Sequence, residues 1–236
     1  MLIEVCASNI QSALAAQGAG AHRIELCTAL DGGGLTPSAG LLREVLRRLR
    51  IGVHVLIRPR EGNFCYDDAE MQIMLDDIRI CRQTGAHGVV IGALDTAGRI
   101  DIPKMQAMLE AAAGLDVTCH RAFDYTADPL EALETLIDLG FKRVLSSGQA
   151  VSAYEGRFVL QKMVERAAGR IIVMPGAGLS ARNIREVAGT TGALEFHLTG
   201  RKKIVQPHPG GEIPGLEWWY WESREEILRE AMAALA

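Results

Sequence analysis

Leu2-Ile3-Glu4-Val5-Cys6-Ala7 alternates apolar and polar side chains from its second residue onward. A strand sends successive side chains to opposite faces, so Ile3 and Val5 share one face while Glu4 and Cys6 share the other. The alternation returns in Arg23-Ile24-Glu25-Leu26-Cys27 and in Leu194-Glu195-Phe196-His197-Leu198-Thr199. Working outward from these segments, the pattern predicts strands at Leu2–Ala7, Arg23–Cys27, Gly52–Arg58, Gly88–Leu94, Asp116–Arg121, Arg143–Gly148, Arg170–Met174 and Ala193–Thr199.

The segments between them read as helices. Met71, Met74, Leu75 and Ile78 form one apolar stripe, and Leu41, Leu42, Val45, Leu46 and Leu49 form another. Start signals stand at Ser8 with Gln11, Asp128 with Pro129 and Glu131, Ser152 with Glu155, and Ser223 with Glu226. Strands alternating with helices build a parallel sheet through right-handed crossovers. Eight βα units in 236 residues fit a closed α/β barrel, a single (β/α)8 TIM barrel spanning residues 1–236. An open doubly wound sheet is the structural alternative. The pattern further predicts an irregular loop over 200–221 after strand 8 and a C-terminal helix over 223–235.

Strand parity divides the residues. Ile3, Val5, Ile24, Leu26, Val53, Val55, Ile57, Val144, Ile171, Val173, Leu194, Phe196 and Leu198 take the face toward the helices. The opposite parity carries Glu4, Cys6, Glu25, Cys27, His54, Arg58, Thr118, His120, Ser147, Glu195, His197 and Thr199. Inside a small parallel barrel these groups lose water, so they must pair, bind a metal or line a cavity. Closure brings Glu195, Glu4 and Glu25 onto successive strands, with Arg58 on the next and His120 across the barrel. The alternative reading of the cluster is a structural ion network. His54 begins its strand and takes a packing role.

Barrel enzymes work at the carboxyl ends of their strands. There His120-Arg121-Ala122-Phe123-Asp124 offers an imidazole, a guanidinium and a carboxylate for proton transfer and anion binding, or an Arg121–Asp124 pair that holds the loop. The turn Pro175-Gly176-Ala177-Gly178-Leu179-Ser180 after strand 7 stands where amides can hold phosphate or carboxylate. Arg58, Arg60, Phe64 and Tyr66 follow strand 3 in a loop that closes over an anionic ligand or lies tied to the surface. The stretch from Gly200 to Trp221 carries Arg201, Lys202, Lys203, His208 and the run Trp218-Trp219-Tyr220-Trp221, a lid, a subunit interface or a packing surface.

A net charge of -4 gives no general attraction to nucleic acid or membranes. Met1 leads straight into the strand pattern, and the 5 cysteines form no CxxC pair, so a cytoplasmic protein with reduced thiols is expected. Cys6 and Cys27 close neighbouring strands on the inward parity, which suits a soft metal such as Cu(I); packing as small hydrophobes is the other reading. No organic cofactor is indicated.

EVCAS (4–8), RIELC (23–27), GGLTPS (33–38), IRPREGNFCY (57–66), HRAFD (120–124), SSGQ (146–149) and MPGAG (174–178) occur in that order. Through them the chain from about Leu2 to Thr199 resembles the CutC family, named for copper homeostasis. The resemblance implies a cytosolic α/β barrel, a homodimer or larger oligomer, and a copper role for thiols at Cys6 and Cys27. The chain departs from the family pattern at Cys119, at Glu61-Gly62-Asn63 and at Thr199-Gly200, and beyond Gly200 it matches poorly. Cys119 adds a third thiol close to His120.

Two functions therefore stand side by side. One is Cu(I) binding at Cys6 and Cys27. The other is an enzyme acting on a small anionic metabolite, a phosphorylated one being one option, with His120 as acid/base, Glu25 as its partner, and Arg58, Arg121 and the Gly176–Gly178 turn on the anion. Asp124, Glu195 and His197 complete the catalytic candidates, with Arg60 as a further anion ligand. A scaffold acting through its oligomer is a third reading.

Overall fold

A computed structural model describes residues 1–206 and 218–235. Eight parallel strands follow one another: β1 (Leu2–Ala7), β2 (Arg23–Leu26), β3 (Gly52–Leu56), β4 (Gly88–Ile91), β5 (Asp116–Cys119), β6 (Arg143–Ser146), β7 (Ile172–Pro175) and β8 (Glu195–Leu198). Hydrogen-bonded pairing runs from β7 down to β1 and then to β8, and β7 lies alongside β8 to complete a (β/α)8 barrel. The register sets Glu4 beside both Arg23 and His197, and Cys6 beside Glu25.

The helices are α1 (Ile10–Ala19), α2 (Ala39–Arg48), α3 (Asp68–Thr84), α4 (Ile102–Ala111), α5 (Pro129–Asp138), α6 (Arg157–Ala167), α7 (Ile184–Thr191) and α8 (Glu225–Ala233). Their apolar stripes cover the outward strand face: Leu42 and Val45 of α2 and Met71, Met74 and Ile78 of α3 join Ile3, Val5, Ile24, Leu26, Val53 and Val55 in one core. Leu194 breaks the parity rule at 72% exposure, because it precedes β8 and lies outside the barrel wall.

The alternation predicts β1 at its observed bounds, but β2 to β6 and β8 stop short of their predicted ends, and β7 is displaced to Ile172–Pro175. Asp128 caps α5 with its side chain, as read from the sequence. Three other start signals shift. Asn9, not Ser8, caps α1. Ser152 accepts from the Glu155 amide in a turn before α6. Ser223 ends a strand, leaving Arg224 at the start of α8 without a side-chain cap.

The loop expected over 200–221 is partly ordered. Arg201–Val205 (β9) pairs antiparallel with Trp219–Ser223 (β10), although His208 lies outside the described residues. Lys203 Nζ stands 4.1 Å from the Trp219 ring centroid and the Arg201 guanidinium 4.3 Å from that of Trp221, so cation–π contacts join the two strands.

Two ion pairs provide a stability contrast. Glu195 is buried and accepts from Arg143 Nε and Arg23 Nη2, each at 2.7 Å, whereas Lys142 and Asp116 meet at the surface. Replacing Glu195 by Gln strands Arg143 beside Thr118 and should cost roughly 3–5 kcal/mol in urea unfolding. Lys142→Ala should cost no more than about 1 kcal/mol.

Candidate functional site

Charges fill the barrel from its floor upward. Arg143 of β6 pairs with Glu195 of β8, which also accepts from Arg23 of β2, and Arg23 Nε donates to Glu4 of β1. The other Glu4 oxygen meets His197 Nδ1 at 2.8 Å. Burial opposes ionisation of Glu4, but hydrogen bonding from His197 and the Arg23 charge outweigh it and hold its pKa well below the usual carboxylate range. Burial likewise opposes the charged form of His197, yet Cys6, Glu4 and Glu25 raise its pKa well above the ordinary value. His54, packed beneath, is pushed down to about 4 by burial.

Above this network lie Cys6, Cys27 and Glu25. The two sulfurs are 3.3 Å apart, and Cys6 Sγ donates to Glu25 Oε1 at 3.6 Å. Burial pushes Glu25 up to about 7. The hydrogen bond with Cys27, together with burial, raises the Cys6 thiol well above its ordinary value.

A cavity of about 290 Å³ opens at the carboxyl ends of the strands, lined among others by Cys6, Glu25, Arg58, Phe64, His120, Arg121, Gly178 and His197. It sits at the small end of the ligand-pocket range. Among the described residues, Glu25 Oε2, His54 Nδ1, Arg58 Nε, Tyr66 Oη and His120 Nε2 are buried without a hydrogen-bond partner, and of these residues Glu25, Arg58 and His120 line the cavity. Native interiors rarely leave such atoms unmatched.

His120 is held in one state. Its Nδ1 accepts the Ala122 amide at 3.1 Å, which puts the ring proton of the neutral imidazole on Nε2. Burial, aided by the Arg58 charge, lowers its pKa to about 3. Gly92 makes room for the ring: a Cβ there would lie 2.6 Å from His120 Cε1. Phe64 packs against the imidazole at 5.1 Å between centroids, with the Arg58 guanidinium 4.9 Å from its own ring centroid.

The other predicted residues divide between cavity and framework. Arg58 lines the cavity, but its Nη atoms donate to the carbonyls of Gly32, Gly34 and Gly62, leaving only Nε free among the described residues. Arg60 turns away from the cavity to Glu70 and the carbonyls of Glu61, Asn63 and Cys65. The loop that carries both arginines is thereby tied down. Glu195 lies in the floor network, below the cavity lining. Asp124 accepts from Arg121, Ser146, Ser147 and the Gln149 amide, a knot that fixes the loop after β5.

Gly176 answers to packing, since a Cβ there would sit 2.4 Å from Leu145 Cδ1. Gly178 does line the cavity, next to Ala177, a non-glycine residue at φ 77°. Such backbone strain collects at functional sites. Cys119 is no third pocket thiol: it alternates outward into the helix-facing core.

Sequence reasoning passed over Arg23 and Arg143, the cations that neutralise Glu4 and Glu195. The signal was present, because each opens its strand on the inward parity. Gly92 gave none, its role arising only from close approach across the mouth.

Fold and site together define a (β/α)8 barrel with a pocket lined by polar and apolar side chains at its carboxyl face. Residues 1–202 match the CutC family. A family protein CutC of Xanthomonas axonopodis pv. citri is 51% identical over 213 residues, covering 89% of each chain. One from Parabacteroides distasonis is 47% identical over 204 residues, covering 86% of this chain and 84% of its own. The crystal structure of a Streptococcus agalactiae CutC, whose name refers to copper homeostasis, superposes with a TM-score of 0.81 at 35% identity, over 84% of this chain and 98% of that one. The chain belongs to the CutC family. Thiamine phosphate pyrophosphorylase from Pyrococcus furiosus, at 16% identity and a TM-score of 0.62, shares the fold alone.

The lowered pKa of His120 has a signed consequence. An unfolded imidazole takes up a proton near 6.5 and the folded one only near 3, so stability is lost as pH falls through that window. In urea unfolding between pH 7 and pH 4, His120→Gln should flatten the decline; an unchanged slope would show that His120 takes up its proton alike in the folded and unfolded chain.

Proposed function

We propose that the protein is an enzyme that binds a small anionic metabolite at the barrel mouth and acts on it by acid–base chemistry. The observation carrying this reading is the convergence of three buried, unpartnered polar atoms, Glu25 Oε2, Arg58 Nε and His120 Nε2, on residues lining one cavity. Glu25 offers an acceptor, while His120 and Arg58 offer donors, a division suited to moving a proton between a ligand and the protein. Arg121, half-exposed at the rim, supplies a positive charge to the entrance. The amides of Gly178 and Leu179 have no acceptor among the described residues and add neutral donors for an anion's oxygens.

A second reading is Cu(I) held by Cys6 and Cys27. It is favoured by their 3.3 Å separation and by Glu25, which completes a three-residue group that could hold a metal ion. Both thiols would have to lose protons on binding, which the raised pKa of Cys6 opposes, so affinity would climb with pH. The name of the Streptococcus agalactiae relative supports this reading.

In either case residues 1–236 are taken as one barrel domain working in the cytoplasm as a homo-oligomer. The free thiols support a reducing compartment, and the aromatic β9–β10 hairpin supports a subunit contact. Among the described residues no helix is long and apolar enough to cross a membrane.

Titration calorimetry with ribose 5-phosphate and dihydroxyacetone phosphate tests the first reading. Binding should weaken roughly 10-fold in Arg121→Gln, the loss of one charge-assisted contact, with circular dichroism checking that the variant is folded. If neither compound binds, or the variant binds each equally well, the reading fails. Cu(I) competition under reducing conditions tests the second: Cys6→Ser combined with Cys27→Ser should abolish binding that the parent shows.

A further inference from the structure

A neutral imidazole that can only donate, facing a carboxylate that can only accept once ionised, is a restricted pair of tools. His120 Nδ1 is occupied by the Ala122 amide, and Gly92 and Phe64 hold the ring in place, so Nε2–H is the one polar group His120 presents to the cavity. Glu25 Oε1 is engaged by the Cys6 thiol, which leaves Oε2 as its open acceptor. Leu30, Leu56, Leu145 and Leu179 form apolar walls around these groups. Apolar surroundings strengthen a hydrogen bond aimed at charge that develops on a ligand oxygen.

We propose that the pocket catalyses proton transfer at the carbon beside a carbonyl group, on a small α-hydroxy aldehyde or ketone carrying one anionic group, with Glu25 as base and His120 as oxyanion donor. The inference rests on the anionic-metabolite reading above and gives it a reaction class. The carbon–hydrogen bond breaks and its proton passes to Glu25 Oε2. The released electron pair forms a carbon–carbon double bond as the carbonyl pair moves onto oxygen, and His120 Nε2–H donates to the oxyanion, then gives it that proton and takes the hydroxyl proton in exchange.

Glu25 then returns its proton to the carbon that had carried the carbonyl. The net change is isomerisation between aldose and ketose, with no electron gained or lost and no co-reactant. A carboxylate base working beside a neutral imidazole solves the same problem in another barrel enzyme, triosephosphate isomerase, where burial and helix geometry keep the histidine uncharged. Arg58 Nε, Arg121 and the Gly178–Leu179 amides fall to the anionic group.

The full-length protein is incubated in D₂O with ribose 5-phosphate and, separately, dihydroxyacetone phosphate, and loss of the carbon-bound proton signal is followed by NMR. Exchange of at least one compound is expected, falling at least about 100-fold in Glu25→Gln and in His120→Gln while calorimetric binding persists. Glu25→Asp, which keeps the carboxylate, should retain measurable exchange, and circular dichroism checks that each variant is folded. Binding without exchange overturns the proton transfer and leaves the anion-binding reading standing. Exchange that survives in folded Glu25→Gln also overturns it, and absence of binding overturns both.

Discussion

A closed parallel barrel has no wet face on its inside, and this chain fills that space with ionisable groups. Arg23, Arg143 and His197 oppose Glu4, Glu195 and Glu25, so this set is balanced in charge when Glu25 is ionised and His197 protonated. Every other feature of the site depends on that arrangement. Charges left unpaired in such a space cost several kcal/mol each, which forces the guanidinium and carboxylate groups into one connected network. Glu25 stands at its upper edge, where pairing runs out and the cavity begins.

The floor and the mouth differ in how far their polar groups are matched. Below, Glu195 has two arginine partners and Glu4 has an arginine and a histidine, although Glu4 also stands with Glu25 and His197 in a group that could hold a metal ion. At the mouth, three groups retain an unpartnered atom. Below them His54 Nδ1 is the unmatched atom of the floor, packed out of reach of the cavity lining. Stability and ligand chemistry thus occupy successive layers of one barrel, joined where Cys6 meets His197 below and Glu25 beside it.

Much of this was legible in the sequence. Alternation alone assigned Glu4, Cys6, Glu25 and His197 to the inside, and the helical stripes of α2 and α3 accounted for the outer face. Parity says which way a side chain points but not whom it meets, so Arg60 looked like an anion ligand although its donors close on loop carbonyls and Glu70, and Arg58 keeps only Nε for the cavity. Asp124 looked catalytic for the same reason, while its oxygens are engaged by Ser146 and Ser147 at the end of β6. Partnerships of this kind are made across loops distant in sequence, and no periodicity encodes them. Gly92 is the clearest case: its meaning is the volume it leaves for His120.

The hairpin after β8 lies mostly past the family match, which ends at residue 202. It is nevertheless tied to the first two βα loops and to α1. Asn9 Nδ2 donates to the Trp221 carbonyl, the Ser223 amide to Ser12, and Trp221 Nε1 to Asp31. Asp31 follows Leu30, which lines the cavity, so the hairpin braces the rim next to Glu25 and Cys27. The catalytic candidates lie in the segment shared with the family, whereas this part of the rim is held by a segment that the shared motifs do not cover. A change of ligand size between relatives could then arise at the rim without disturbing the charged layers beneath it.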